Sequence, residues 1–236
     1  MKTTSNPTRN IPLAVLLALF ALLSLSGCKK FLDEKPSKNL KIVSTLADAQ
    51  ALLDYYPELN QRDLGAGEVS ADDYYLSQDN YNQMEENFQR MYTWEKDRLF
   101  AAEFNDWSNL YGAIYRANTA LEVLSNNSRT AGNLQSWDNI KGQALFFRGW
   151  FYLQGLQIWS PAYQESSADT DLAIPLRNNT NFNEASSRPS LKTAYQLLEK
   201  ELKEAVDLLP VSQPGLTRPS KAAATALLAR LYLFKG

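Results

Sequence analysis

The chain has 236 residues, 44% of them hydrophobic and 21% charged, with formal net charge −2, which is length for one domain or two small ones and for a sizeable core. It contains no histidine and a single cysteine; this excludes Ser-His-Asp and Cys-His nucleophiles, His-ligated metals, internal disulfides and Cys-ligated zinc or iron–sulfur clusters. The near-neutral charge, without Lys/Arg clusters, argues against nucleic acid as a partner, and 36 Leu and 26 Ala against 6 Val and 6 Ile favour an all-α chain.

Lys2 and Arg9 form a short basic start, followed by the uncharged apolar stretch Ile11 to Leu25. That stretch is too short for a bilayer span, which needs about 20 residues, and fits a secretory leader. Leu25-Ser26-Gly27-Cys28 resembles the bacterial lipobox, in which the cysteine is lipidated and becomes the mature N-terminus. The only cysteine of the chain sits at that position. The expected organisation is therefore a lipoprotein signal peptide at 1–27, a lipidated tether at 28–40 and a helical domain at 41–236. Cleavage leaves 22 basic and 26 acidic residues. The tether is polar and contains Pro36, and stable anchoring needs more than one acyl chain.

Thr45 with Asp48 forms a capping-box pattern, and Leu46, Ala49, Leu53 and Tyr56 fall on one helix face until Pro57 stops it. Residues 60–80 lack periodicity and predict a loop. Tyr81, Met84, Phe88 and Met91 predict one short amphipathic helix. Trp107, Leu110, Ile114, Ala117, Leu121 and Leu124 form a continuous 3,4-spaced stripe, broken at Asn126-Asn127-Ser128. Residues 140–159 are apolar on nearly all sides, which predicts the buried central helix; Trp107, Trp150, Phe151 and Tyr152 are expected in the core. An irregular stretch from Ser160 to Pro189 is long enough to carry function. Ser190 caps a helix carrying Leu191, Tyr195, Leu198, Leu202, Ala205 and Leu209, closed by Pro210, with Glu199 and Lys203 paired on its wet side. Ser220 opens a last helix through Ala224, Leu227, Leu231 and Phe234.

A repeat runs through this pattern. Lys141, Ala144, Phe147, Gly149, Tyr152 and Leu153 match Lys221, Ala224, Leu227, Ala229, Tyr232 and Leu233. The small residue beside a large aromatic lets two helices approach closely. The helices at 140–159, 190–209 and 220–235 thus resemble tetratricopeptide hairpins, the first split by the 160–189 insert. Helix pairs of this kind must stack on neighbours. The last helix is expected to be covered by further chain or by another protein.

Cys28-Lys29-Lys30-Phe31-Leu32-Asp33-Glu34-Lys35-Pro36, the Trp107-to-Asn118 helix with Tyr111 and Ile114, Gly142 to Gly149, Ile174-Pro175-Leu176, Leu202 to Pro210 and Ala222 to Gly236 resemble, in order, the SusD/RagB family of nutrient-uptake outer-membrane lipoproteins of Bacteroidetes. The resemblance implies an all-α, SusD-like superhelix with long irregular loops. It also implies a lipoprotein facing the cell surface that binds oligosaccharide or polysaccharide and hands it to a SusC-like TonB-dependent transporter. Members of the family are roughly twice this length, so the chain reads as truncated at its C-terminus, short of the half that supplies part of the glycan site.

A sugar site without chemistry needs flat aromatic faces and groups that bond hydroxyls. The candidates are Asp72, Asp73, Tyr74 and Tyr75 in the first loop and Tyr92 and Trp94 after the short helix. Catalysis is not expected. Glu85 and Glu86 diverge by about 100° on a helix and cannot flank one bond. Glu68 with Asp72 or Asp73 has no visible means of raising one pKa. No cofactor is expected, although the acidic loop could hold Ca²⁺ through oxygen ligands. The alternative to a glycan carrier is a tetratricopeptide scaffold lipoprotein whose ligand is another envelope protein.

Overall fold

The computed structural model describes residues 43–236; the leader, Cys28 and the tether lie outside the described residues. The chain order is α1 (Leu46–Leu53), α2 (Tyr56–Leu59), α3 (Ala66–Val69), α4 (Gln78–Gln83), α5 (Glu86–Tyr92), α6 (Asp106–Ser125), α7 (Leu134–Trp159), α8 (Leu191–Leu208) and α9 (Lys221–Lys235). Among the described residues the only extended pairing is one antiparallel bridge between Leu172 and Ser190. No described helix is long and apolar enough to cross a membrane.

The helix starts follow the local chemistry. Thr45 Oγ1 accepts the Asp48 N–H at 3.1 Å while Asp48 Oδ2 accepts the Thr45 N–H at 3.1 Å, a reciprocal capping box. Asn105, Ser190 and Ser220 cap α6, α8 and α9 by accepting the N–H of the residue three positions on. Asn133, before α7, makes no such bond. That helix begins at Leu134, six residues ahead of the apolar run that betrays it.

Three expectations need correction. The first helix stops at Leu53, and Pro57 sits in the first turn of α2, where its missing N–H costs nothing; Tyr56 consequently turns outward and is exposed. The 60–80 stretch is not all loop: it contains α3 and the Ser77-capped start of α4. The single helix expected through Tyr81 and Met91 is two, because Met84 takes an extended conformation (ψ 151°) and Glu85 starts α5 afresh.

α6 to α9 pack as successive antiparallel neighbours. Along α6 and α7, Leu110 meets Gly155 while Asn118 meets Arg148. Along α7 and α8, Gly142 lies against Leu209 and Gly149 against Leu202. Glu199 of α8 bonds Tyr232 and Lys235 near the end of α9, while Ala205 and Leu209 cluster with Ala224 near its start. The glycines are the close approaches. A Cβ on Gly149 would lie 2.8 Å from Leu202 Cδ2, and one on Gly155 would lie 2.7 Å from Ile174 Cδ1 and 2.8 Å from Leu110 Cδ2. α7 is the centre, with Phe151 and Tyr152 buried as expected. Trp150 is half-buried, stacked on Phe146 with Arg230 over its ring. The outward face of α9 leaves Ala222, Ala226, Ala229 and Leu233 exposed.

Four polar side chains are buried in this core, Asn118, Gln143, Arg148 and Glu201. Gln143 of α7 exchanges amide hydrogen bonds with Gln50 of α1, both at 3.1 Å. Arg148 makes a bidentate pair with Glu201 of α8 (Nε to Oε2 3.0 Å, Nη2 to Oε1 2.5 Å), and its Nη1 donates to Asn118 Oδ1 at 2.7 Å. With no water to take their place, each such group needs its partners inside the protein.

Candidate functional site

The buried polar residues position an external feature. Asn118 Nδ2 donates to the carbonyls of Arg177 (2.8 Å) and Asn179 (3.1 Å). The Tyr152 hydroxyl accepts the Arg177 N–H and donates to the Arg177 carbonyl. Tyr111 donates to the Pro175 carbonyl at 2.8 Å. Burial pushes both phenols well above the ordinary tyrosine range, so they stay neutral donors. The irregular insert is thereby tied to α6 and α7 at fixed points. Its 175–186 segment becomes one wall of a cleft whose other wall is α6.

That cleft has a volume of about 340 Å³. Trp107, Tyr111 and Tyr115 line it at four-residue steps along α6, with Phe182 and the amides of Asn179 and Asn181 facing them from the insert. Tyr115 and Phe182 rings lie 4.9 Å apart, as do Trp107 and Tyr111. Trp107, expected in the core, is 41% exposed: it stands on the first turn of α6, where its ring neighbours among the described residues are Tyr111 and Trp159.

A second cavity of about 530 Å³ adjoins across the Trp107–Trp159 pair, whose ring centroids are 5.0 Å apart. It is lined by Met91, Trp94, Phe100 and Trp159 with Ser70 and Glu95. Trp94 is 68% exposed and has φ 57°, a left-handed conformation that a bulky residue rarely takes. Its indole N–H donates to the Ser70 carbonyl at 2.8 Å, which fixes the ring by its edge. Arg98 and Phe104 also have positive φ, at 53° each. Three such residues within eleven positions amount to stored backbone strain of about 1–3 kcal/mol each.

The sequence candidates separate on this geometry. Trp94 lines the second cavity. Tyr74 and Tyr92 meet each other at 5.6 Å, with Tyr81 beyond at 6.0 Å. Their hydroxyls serve the backbone, Tyr74 donating to the Val69 carbonyl and Tyr92 accepting the Leu76 N–H; this group braces the loop. Tyr75 is 88% exposed. Asp72 and Asp73 are exposed on the turn after α3 and line neither aromatic cavity. Among the described residues no group of three or more acidic side chains is placed to hold a metal ion. Sequence reasoning missed the α6 cleft. The aromatic residues at 107, 111 and 115 carried a signal, equal spacing along one helix; Arg177, Asn179 and Phe182 carried none.

Residues 30–233 match the SusD-like family model described as "Starch-binding associating with outer membrane", and the chain belongs to that family. Its fold is similar to that of a Bacteroides vulgatus protein provisionally described as sugar binding (TM-score 0.69, 21% identity, covering 83% of this chain and 44% of that one). A SusD-like carbohydrate binding protein from the same species is also similar (TM-score 0.65, 17% identity, 81% and 42% covered). So is a SusD superfamily protein from Bacteroides thetaiotaomicron (TM-score 0.64, 20% identity, 81% and 43% covered). The chain spans less than half the length of these structures. No curated protein matches it.

Proposed function

We propose that this protein is a surface lipoprotein, anchored in the outer membrane through Cys28, that binds oligosaccharide or polysaccharide and passes it to a SusC-like TonB-dependent transporter. Membership of a family described as starch-binding and associating with the outer membrane supports this reading. The observation that carries it is Trp94: an indole with most of its surface in water, pinned by its edge over a cavity at the expense of backbone strain. Burial and packing do not account for such a ring. A flat, pre-set apolar face with hydroxyl and carboxylate groups beside it suits the face of a pyranose. The proposal is for binding without catalysis, since Glu68, Asp72 and Asp73 are all solvent-exposed residues.

The test is tryptophan fluorescence of the full-length protein against a panel of neutral and acidic polysaccharides. At least one glycan should alter the emission, and Trp94→Ala should weaken that ligand by about 10-fold or more, the loss expected of one aromatic platform. A protein indifferent to every glycan, or one whose binding survives Trp94→Ala unchanged, contradicts the reading.

A further inference from the structure

Between the two aromatic cavities the chemistry of the walls differs. The cavity beside Trp94 has Glu95 as its charged lining residue, and Glu95 is paired with Arg90 at 2.7 Å. The α6 cleft contains one charged lining residue, Arg177, and no carboxylate. Arg177 Nη1 donates to the Glu184 carbonyl (2.7 Å) and reaches Ser186 Oγ at 3.5 Å, and Nη2 donates to the Asn181 carbonyl at 3.2 Å. These bonds hold the guanidinium in place without neutralising it. Among the described residues no ion pair is recorded for Arg177 or for Arg188, which donates to the carbonyls of Ala173 and Leu172. Both guanidinium groups act electrostatically on the Tyr111 phenol that borders the cleft. Two carboxylates bond residues of the wall: Glu184 accepts from Asn179 Nδ2 and Glu122 from the Thr180 hydroxyl. Each is engaged there, and neither lines the cleft.

A neutral sugar gains little from a cationic wall that lacks a carboxylate. A pyranose bearing its own carboxylate would meet every group present. Its ring face would lie on Tyr115 or Phe182, its hydroxyls would reach the amides of Asn179 and Asn181, and its carboxylate would face the fixed guanidinium. Arg is the residue suited to that contact, because its donors are planar and paired and its charge persists at any physiological pH. We propose that the cleft between α6 and the 175–186 segment is a subsite for a uronate residue, and that the protein prefers acidic over neutral glycans. This rests on the glycan-binding reading above and adds the class of ligand.

The experiment is calorimetry on the full-length protein with oligogalacturonate, oligomannuronate and hyaluronan fragments, against fully methyl-esterified oligogalacturonate and maltohexaose as neutral probes. At least one uronate oligosaccharide should bind. Esterification of its carboxylates and the Arg177→Met substitution should each weaken it by about 10- to 100-fold, the size of one charge-assisted contact, and added salt should weaken it further. Because Arg177 also braces the insert, Phe182→Ala serves as a second variant that leaves the guanidinium bonds intact; it should weaken acidic and esterified ligands alike. Neutral probes that bind as well as the uronates, or binding indifferent to both esterification and Arg177→Met, overturn the uronate subsite and leave glycan capture standing. Failure of every uronate overturns the subsite too, and failure of neutral glycans as well overturns both readings.

Discussion

At the scale of single residues, the Arg148–Glu201 pair matters most, because it lies in the core and holds the wall of the cleft through Asn118. A buried charge left without its partner costs far more than the pair itself contributes. Glu201→Ala should therefore destabilise the protein by about 3–5 kcal/mol in urea unfolding, and Arg148→Met combined with Glu201→Leu should recover most of that loss. A Glu201→Ala protein as stable as wild type would mean the guanidinium finds water, and the core is not as closed as described. The pair was invisible in the sequence, since its members are 53 positions apart and each alone reads as a polar residue in a helix. Its partner Asn118 lay within the stripe of α6 but off its apolar positions. The exposure of Trp107 was hidden for the opposite reason: a tryptophan on an apolar stripe looks like core until the first turn of α6 is seen to line the cleft, with Tyr111 and Trp159 beside the ring.

Among the elements, sequence pattern and structure agree best where capping chemistry and periodicity coincide. α8 and α9 start at their expected caps, Ser190 and Ser220, and α6 and α8 end beside the expected Asn126 and Pro210. They diverge where proline or an uncapped start decides, as at Pro57, Met84 and Leu134. The glycines of the helix pairs give a sharp contrast. Gly155 is wedged between Ile174 and Leu110, so Gly155→Ala should lower stability by about 1–2 kcal/mol, the crowding exceeding the gain in helix propensity. Gly112, inside α6, has open space where a Cβ would go, and Gly112→Ala should raise stability by up to about 1 kcal/mol. Paired urea melts decide both signs: a Gly155→Ala protein as stable as wild type would show that this contact is looser than these distances, and a destabilised Gly112→Ala protein would show that its site is not open.

The attachment of α9 to α8 should depend on acid. Glu199 bonds Lys203, Lys235 and Tyr232, and these contacts, Lys203 first, hold its carboxyl down to about 2. A carboxyl lowered on folding contributes stability above its unfolded value of about 4.3 and loses it as pH falls toward 2. The pair is partly exposed, so the effect is at most about 1 kcal/mol after solvent screening. Amide exchange in the last turn of α9 should quicken between about pH 4.5 and 2 in wild type relative to Glu199→Gln; parallel profiles for the two proteins would count against the staple.

At the scale of the whole molecule, the family and the all-α architecture were legible in the order of short segments, because helix pairs leave a periodic record along the chain. The site was only half legible. Trp94 stood out as an aromatic in a loop, but the cleft is assembled from α6 and an aperiodic insert joined by side chain-to-backbone bonds, and bonds of that kind leave no spacing to read. The address lies outside the described residues and rests on the lipobox-like Leu25 to Cys28. Cys28→Ser should release the protein from the outer-membrane fraction; equal retention of mutant and wild type would remove the anchor from the account.

The most direct measurement is an indole N–H spectrum of the full-length protein titrated with the glycan that binds best, each signal assigned by single substitution. The segment described here contributes five indoles, at 94, 107, 137, 150 and 159. Trp94, Trp107 and Trp159 line or join the two cavities. Trp137 and Trp150 donate elsewhere, to the Asn127 carbonyl and to Asp63. Binding on this face should move the first three signals with one saturable curve while the other two stay fixed, and that is the expected result. Movement confined to Trp137 and Trp150, or none among the five at saturating glycan, would place the ligand off this face and contradict it.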